Sequence, residues 1–425
     1  MARPWIHGHF LERMNCLYDI HEVGAWNDLE ALLFHSQGAE QPDQERRFAA
    51  ISSMLQDLFL PFGIADPVMA LQCPLGVSAA LHHLAELCIT LVGGRCLQRA
   101  VRLLHLAKLF LLFNFNDFGA WFAESRWQCD MQRMSTQTQE VMRLARAAPD
   151  NAIIDILEPR DLRNFSWRIG LVSYCNYNDS ITQLTSQSRS NKQAYATLHG
   201  YELYHFETPF MSNAHPWMNK LIAIQRTLPD VDWLFWVDCD LFFMNPSHTV
   251  DGLINSALKR NADASMLIAE DGMMLNSGSF LLRNNMWSAE FLAKTVDLLS
   301  APMPYSFQHM PWHEQAPLIY LTMVPWVVNW TSTSSGSPED EALLGSGYDP
   351  HVVLLPQHAM NSYPPDLVQR TGHALMHEGF TSGDMVISFN GCSSILGGEY
   401  CENLYAHYHG LSMALFQDSA AAAPA

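Results

Sequence analysis

The chain has 425 residues, of which 48% are apolar and 16% charged, with a formal net charge of −19 at pH 7. This length allows two or more domains of ordinary globular composition. The acidic balance argues against nucleic acid as a partner, because no basic stripe is present to contact phosphates. The nine cysteines include no Cys-x-x-Cys pair, so neither a structural zinc site nor a disulfide-dense scaffold is indicated. Cys392 and Cys401 are close enough in sequence to bridge across a loop.

Residues 1–160 are predicted to form an α-helical accessory region of unknown role. Apolar residues recur there at three- and four-residue spacing, in segments 26–34, 45–59, 77–92, 96–115 and 132–146. Charged residues and histidines interrupt the most apolar segments every three or four positions, which favours amphipathic helices over membrane spans. The first residues also lack the apolar core of a signal peptide. We therefore expect neither a signal peptide nor a transmembrane segment in this chain.

From Arg168 onward, predicted strands and helices alternate. Residues 169–174 and 201–206 are predicted strands with a helix between them, which is a strand–helix–strand crossover unit. No Gly-x-Gly-x-x-Gly follows the first strand and no P-loop motif occurs, so dinucleotide and P-loop binding are unsupported. Further strands are predicted at 264–269, 277–282 and 351–355, and helices at 216–228, 288–299 and 314–323. Residues 331–350 are predicted to be a loop, and 416–425 a disordered tail.

Two acidic residues follow the most apolar stretch of the chain. Residues 233–237, Trp-Leu-Phe-Trp-Val, are typical of a buried strand at the centre of a parallel sheet, and Asp238 and Asp240 follow at its carboxyl end. Ligands of open α/β sheets bind at this edge, and an extended backbone directs residues two apart to the same side. Burying both carboxylates requires a counter-charge. Their oxygen ligands suit Mg²⁺ or Mn²⁺ holding a diphosphate, the alternative being a solvated acidic turn.

Several segments, taken in order, resemble one enzyme family. They are residues 215–220 (His-Pro-Trp-Met-Asn-Lys), 236–240 (Trp-Val-Asp-Cys-Asp), 276–284 (Asn-Ser-Gly-Ser-Phe-Leu-Leu-Arg-Asn), 314–320 (Glu-Gln-Ala-Pro-Leu-Ile-Tyr), 356–364 (Pro-Gln-His-Ala-Met-Asn-Ser-Tyr-Pro), 383–386 (Gly-Asp-Met-Val) and 389–392 (Phe-Asn-Gly-Cys). Their order and spacing are similar to those of retaining α-glycosyltransferases of the GMA12/MNN10 type. That family includes plant xyloglucan xylosyltransferases, galactomannan galactosyltransferases and fungal Golgi α-mannosyltransferases. The first 160 residues lie outside the resemblance.

The resemblance implies an α/β fold of the GT-A type over residues 161–415, with the helical region as an N-terminal extension. It implies a nucleotide-sugar donor carrying galactose, xylose or mannose, a glycan or glycoprotein acceptor, and Mn²⁺ (or Mg²⁺) beneath the diphosphate. It also implies a Golgi or other secretory location. Membrane association would then depend on the N-terminal region or on a partner.

The same resemblance assigns roles to individual residues. Asp238 faces the ribose and the metal, and Asp240 faces the metal. Lys220 pairs with phosphate oxygens, unless it is an ordinary exposed lysine. Gln315 lies beneath the anomeric carbon, where its carbonyl stabilises an oxocarbenium-like charge, and Glu314 stands beside it where the family usually has Asp. The strand lining the sugar pocket begins at Asn276, Ser277 and Gly278. This glycine allows close backbone approach, the alternative being a packing glycine.

One position departs from the family pattern. The family usually carries His-Phe-x-Gly-Cys, whose histidine binds the metal, and here Ser388 stands at the histidine position. A basic residue that often follows the Gly-Cys pair is replaced by Ser393. Other candidates for the missing imidazole are His377, His407 and His409. Two functions therefore stay open: an active transferase, and a catalytically weakened or inactive transferase-like binding protein. A haloacid-dehalogenase-like phosphatase is disfavoured, because Phe242 stands where that chemistry has Thr or Val.

Overall fold

The structure is a computed structural model that describes residues 167–176, 182–271, 274–300, 313–329, 348–371 and 379–422, with single positions at 82, 85, 104 and 107. These four positions are helical, but the predicted helical region 1–160 as a whole lies outside the described residues, as does most of the predicted loop 331–350. The chain divides into two compact units. One is Met1–Asn151 with Leu298–Asp349, and the other is Ala152–Asp297 with Pro350–Ala425. The predicted domain boundaries stay predictions.

The described residues of the second unit form eight strands in two sheets. The strands are β1 (Ile169–Tyr174), β2 (Glu202–Phe206), β3 (Trp233–Val237), β4 (Leu241–Phe243), β5 (Met266–Asp271), β6 (Met274–Arg283), β7 (Val352–Leu355) and β8 (Val386–Ser388). Six of them form a sheet of order β2-β1-β3-β6-β5-β7, and β4 pairs with β8. The predicted α/β class with a central sheet is confirmed.

Strand direction corrects one prediction about β3. All five of its residues are buried and it lies inside the sheet, as its apolar sequence predicts. It runs parallel to β1 but antiparallel to β6, so the sheet is mixed and not all parallel. β5 and β6 are joined by a short connection, which is enough for an antiparallel hairpin but not for a parallel crossover of a dozen or more residues. This connection is the reason that β6 runs antiparallel to its neighbours in the sheet. The predicted β1–helix–β2 unit is parallel, as expected.

Nine helices are described. They are α1 (Thr182–His199), α2 (Pro216–Thr227), α3 (Val250–Arg260), α4 (Met286–Ser300), α5 (Gln315–Asn329), α6 (Gln357–Met360), α7 (Pro365–Thr371), α8 (Cys392–Leu396) and α9 (Gly398–Ala422). Proline at the first position of α2 has the φ angle that a helix start requires. Thr249 caps α3 by accepting a hydrogen bond from the Gly252 amide at 3.0 Å. No helix among the described residues combines the length and apolar character needed to cross a membrane.

Helix α9 overturns the prediction of a disordered tail from residue 416, since the helix continues to Ala422. Phe416 is buried and lies edge-on to the ring of Tyr195, which attaches this part of α9 to the core. The alanines that follow favour helix. Cys392 and Cys401, which the sequence places close enough to bridge, form a disulfide that ties α8 to the start of α9.

Candidate active site

The two aspartates are held through their backbones by two other segments of the second unit. The Asp238 amide donates to the carbonyl oxygen of Gly278 at 2.8 Å, just after β3 ends. The Phe389 amide donates to the carbonyl oxygen of Asp240 at 2.9 Å, just before β4 begins. The sequence segments that contain Gly278 and Phe389 therefore flank the aspartates, although they lie far away in the chain.

Lys220 is the ion-pair partner of Asp238. Its Nζ lies 3.2 Å from Asp238 Oδ1 and donates to the carbonyl oxygen of Ser277 at 2.6 Å. The Trp236 indole also donates to Asp238 Oδ1, at 2.6 Å. The lysine is buried, with a relative exposure of 4%, so the alternative of an ordinary exposed lysine is wrong. Helix α2 thus places one cation between the Asp238 carboxylate and the start of the predicted sugar pocket.

A second lysine, Lys192, was not predicted. It lies fully buried on α1, and its Nζ donates to the carbonyl oxygens of Asp238 and Cys239, at 2.9 and 3.3 Å, and to the Ser188 hydroxyl. Burial lowers the pKa of Lys192 to about 7, against the opposing effect of the negative charges of Asp240 and Asp238. A lysine in a mostly polar helix has no local sequence signal that distinguishes it from a surface residue.

The two lysines do not offset the cost of burying the charged form of Asp240. Burial, together with the charge of Asp238, raises the pKa of Asp240 to about 7, and the opposing effects of Lys192 and Lys220 are smaller. Two close carboxylates that repel each other in this way fit a divalent cation with oxygen ligands. Within the described residues, no group of three or more His, Cys, Asp and Glu side chains could hold a metal, so this carboxylate pair is the principal candidate donor set.

A disulfide fixes the residue between the two aspartates. Cys239 is bonded to Cys175, which directly follows β1. The two cysteines are 64 residues apart in the sequence, which is why no local pattern predicts their pairing. The bridge and Lys192 both act on the backbone of the aspartate segment, so its position depends on two cross-links as well as on β3.

The predicted sugar-pocket segment belongs to β6 and is part of a buried polar network. Asn276 Nδ2 donates to Asp271 Oδ2 at 2.7 Å and to the Tyr363 hydroxyl at 2.8 Å. Asn276 Oδ1 accepts from the Gly278 amide at 2.7 Å. A Cβ at Gly278 would lie 2.5 Å from Asn390 Nδ2, so glycine is required here by close approach of a side chain. The structure thus brings Lys220, Asp238, Ser277 and Gly278 together.

Comparison with known proteins decides the family. The model of the galactosyl transferase GMA12/MNN10 family matches residues 171–263 and 254–397, which together span more than half of the 425 residues. The chain belongs to this glycosyltransferase family. The family predicted from the sequence is therefore confirmed, and the matched residues contain both aspartates, the sugar-pocket segment and Ser388.

Individual relatives are named for different activities. An uncharacterized alpha-1,2-galactosyltransferase of Schizosaccharomyces pombe is 24% identical over 265 residues, which are 54% of this chain and 69% of that protein. The probable alpha-1,6-mannosyltransferase MNN10 of Saccharomyces cerevisiae is 26% identical over 240 residues, 48% of this chain and 55% of MNN10. Galactomannan galactosyltransferase 1 of Cyamopsis tetragonoloba is 29% identical over 143 residues, 29% of each chain. The chain thus spans about half of the length of MNN10 and less than a third of the plant enzyme.

One solved structure is also similar. It is a glycosyltransferase involved in the glycosylation of the major capsid of PBCV-1, with a TM-score of 0.37 and 14% sequence identity. The superposition covers 55% of this chain and 98% of that one.

Ser388, at the family's histidine position, is fully buried at the end of β8. Its hydroxyl oxygen has no hydrogen-bond partner in the described part of the chain. The residue after it, Phe389, is the one whose amide bonds the Asp240 carbonyl. Among the alternative histidines, His409 lies 2.7 Å from the Ser190 hydroxyl, measured from Nε2, and His407 is exposed on α9. His377 lies outside the described residues. The assignment of Ser388 to the metal stays a prediction.

Tyr405 is a further residue near Asp240 that sequence reasoning missed. It lies almost fully buried on α9, and burial together with the charge of Asp240 raises its pKa. Ser393, the serine at the position where family members often have a basic residue, opposes this rise in the pKa of Tyr405. The Cys392–Cys401 bridge connects the helices that carry these two side chains.

Glu314 and Gln315 belong to the other compact unit. Gln315 is the first residue of α5 and is buried, while Glu314 precedes it and is half-buried. His313 adopts φ of 45°, in the left-handed region that residues with a Cβ rarely occupy. The catalytic assignments of Glu314 and Gln315 stay predictions.

Proposed function

We propose that this chain is a metal-dependent retaining glycosyltransferase with a GT-A-type fold. It moves galactose, xylose or mannose from a nucleotide-sugar to a glycan or glycoprotein acceptor. The observation that carries the proposal is the pair Asp238 and Asp240, held at the carboxyl edge of β3 with a pKa of about 7 for Asp240. Such a pair favours a divalent cation, and a cation at this edge favours a bound diphosphate.

Mn²⁺ or Mg²⁺ would be held by Asp238 and Asp240, with the Ser388 hydroxyl as a weaker third ligand. When bound, the ion supplies positive charge that stabilises the departing nucleoside diphosphate. The orphaned buried hydroxyl of Ser388 supports its inclusion, because a buried hydroxyl without a partner is unfavourable. Lys220 keeps the Asp238 carboxylate oriented and offers N–H groups to a phosphate oxygen.

The remaining family roles belong to the same proposal. Asn276, Ser277 and Gly278 line the sugar pocket, and the glycine leaves room beside them. The Gln315 carbonyl stabilises positive charge at the anomeric carbon, with Glu314 as its neighbour. The conflict between Ser388 and the family histidine supports the alternative of a transferase-like protein that binds a nucleotide-sugar without turnover.

We also propose a Golgi or other secretory location. Two disulfides in one chain support it, because such bonds persist in oxidising compartments and are rare in the cytosol. Attachment to a membrane would then depend on the N-terminal region or on a partner.

The test of this function is joint binding of Mn²⁺ and a nucleoside diphosphate, measured by calorimetry. Asp240→Asn removes one charged ligand and should weaken the joint affinity more than tenfold. Asp263→Asn, a change at an exposed aspartate before β5, is the control and should bind as the unaltered protein does. Equal affinities in all three proteins would refute the metal site. A donor screen that follows nucleotide release then separates the two functions, because binding without release supports the alternative.

A further inference from the structure

The side chain of Asn390 lies beside Gly278, and backbone hydrogen bonds connect this region to both aspartates. The backbone amide of the preceding residue, Phe389, donates to the Asp240 carbonyl oxygen. A Cβ added to Gly278 would lie 2.5 Å from Asn390 Nδ2. Gly278 in turn bonds the Asp238 amide through its carbonyl oxygen. Asn390 therefore occupies the space that the missing side chain at Gly278 leaves open.

A chain of buried polar groups fixes which way the Asn390 amide points. The Asp271 carboxylate can only accept hydrogen bonds, so Asn276 must direct its Nδ2 towards it, at 2.7 Å. The Asn276 carbonyl oxygen therefore faces Asn390 and can only accept. Asn390 must then present its own Nδ2, which donates to Asn276 Oδ1 at 3.3 Å. A flipped amide would place two oxygens against each other.

This polarity turns Asn390 Oδ1 away from the network. Asp271, Asn276 and Tyr363 are buried, whereas Asn390 is half-buried and is the member of the network nearest to solvent. Tyr363 completes the order by donating to Asp271 Oδ2 at 2.7 Å. Among the described residues, no donor bonds to Asn390 Oδ1. The protein therefore holds one oriented acceptor at the edge of the aspartate site.

We propose that Asn390 Oδ1 accepts a hydrogen bond from a hydroxyl group of the transferred sugar, with Asp271 and Tyr363 as positioning residues. The proposal rests on the proposed function, since it assigns the contact that recognises the hexose or pentose of the donor. On this proposal, the sugar ring of a donor whose diphosphate binds at Asp238 and Asp240 lies next to this acceptor. An oriented carbonyl selects a hydroxyl donor there, and a donor lacking that hydroxyl leaves the amide unpaired.

The test compares paired ligands in the presence of Mn²⁺: UDP with UDP-galactose and UDP-xylose, and GDP with GDP-mannose. Asn390→Ala should weaken the preferred nucleotide-sugar about tenfold and leave the matching nucleoside diphosphate unchanged. Asp263→Asn, an exposed change before β5, should alter neither affinity. Unchanged nucleotide-sugar affinity in Asn390→Ala would overturn the proposal, and so would an equal loss for both ligands. If the unaltered protein binds no nucleoside diphosphate, the proposed function itself fails.

The positioning role has a separate readout. Asp271→Asn gives Asn276 a partner that can donate as well as accept, so the amide of Asn390 loses its enforced orientation. We expect a several-fold loss of nucleotide-sugar affinity with unchanged nucleoside diphosphate affinity. A merely structural role would lower both affinities together with the thermal midpoint. Tyr363→Phe removes one donor to Asp271 and keeps Asn276 in place. It should therefore lower the nucleotide-sugar affinity less than Asp271→Asn does, again with unchanged nucleoside diphosphate affinity. If the ratio of nucleotide-sugar affinity to nucleoside diphosphate affinity is unchanged in both variants, the positioning role is excluded.

Discussion

Lys192 lies beneath the backbone of Asp238, and its Nζ donates to the Asp238 carbonyl oxygen at 2.9 Å. The same ammonium group donates to the next carbonyl, that of Cys239, at 3.3 Å. A buried amino group thus cross-links α1 to the segment between the two candidate metal ligands. Lys220 contributes an ion pair with Asp238 from α2.

Removing Lys192 should destabilise the protein. Lys192→Ala leaves a cavity and takes away the donor to two buried carbonyl oxygens, and one orphaned acceptor costs about 1–3 kcal/mol. We expect the free energy of unfolding to fall by about 3 kcal/mol in denaturant titrations. Lys192→Met refills the cavity and should recover part of this loss. Lys259→Ala, at an exposed position of α3, is the control. A Lys192→Ala protein as stable as this control would contradict the cross-link.

Asp240→Asn should stabilise the metal-free protein at neutral pH while it weakens metal binding. The pKa of Asp240 is raised from 3.8 to about 7, so its protonated form is favoured by folding. The associated stability is present below pH 4 and is lost as the pH rises through 7. In EDTA, the thermal midpoint of Asp240→Asn should therefore be higher than that of the unaltered protein, and this difference should grow from pH 4 to pH 8. A difference independent of pH, as expected for Asp263→Asn, would refute the raised pKa.

The two disulfides should differ in what their removal costs. In the chain-entropy account, replacing Cys175 and Cys239 by serine opens a loop of 64 residues and should cost about 4 kcal/mol. Replacing Cys392 and Cys401 opens a loop of 9 residues and should cost about 2.5 kcal/mol. The first pair should also weaken joint Mn²⁺ and nucleotide binding, because Cys239 lies between the aspartates. Calorimetry that finds full affinity without this bridge would show that β3 and Lys192 position the segment unaided.

Ser388→His should restore the family's nitrogen ligand. We expect the Mn²⁺ concentration for half-maximal nucleotide binding to fall about tenfold, or about 1.4 kcal/mol. Ser388→Ala is the matched control: it removes a hydroxyl without a hydrogen-bond partner in the described residues, so stability should be unchanged or slightly higher. Thermal unfolding of both variants reports whether the buried position accommodates the larger ring. Identical metal dependence in the serine and histidine proteins would mean that residue 388 does not face the ion.

The sequence by itself determined the family, the buried strand β3 and the two aspartates at its end. The strand and the aspartates depend on short-range order, an apolar run and a two-residue spacing, which a few neighbouring residues contain. The family depends on the order and spacing of seven short segments between residues 215 and 392. For Cys392 and Cys401, the sequence shows only that they are near enough to bridge.

Only the tertiary structure decided which distant groups complete the site. Lys192 meets Asp238 from 46 residues away, Cys175 meets Cys239 from 64, and Asn390 meets Asn276 from 114. Nothing in the sequence near Lys192, Cys175 or Asn390 identifies the residue that it contacts. Sheet direction at β6 and the packing of α1 and β8 against the aspartate segment bring the partners together. Such contacts follow from how whole elements pack, and local patterns carry no record of that packing.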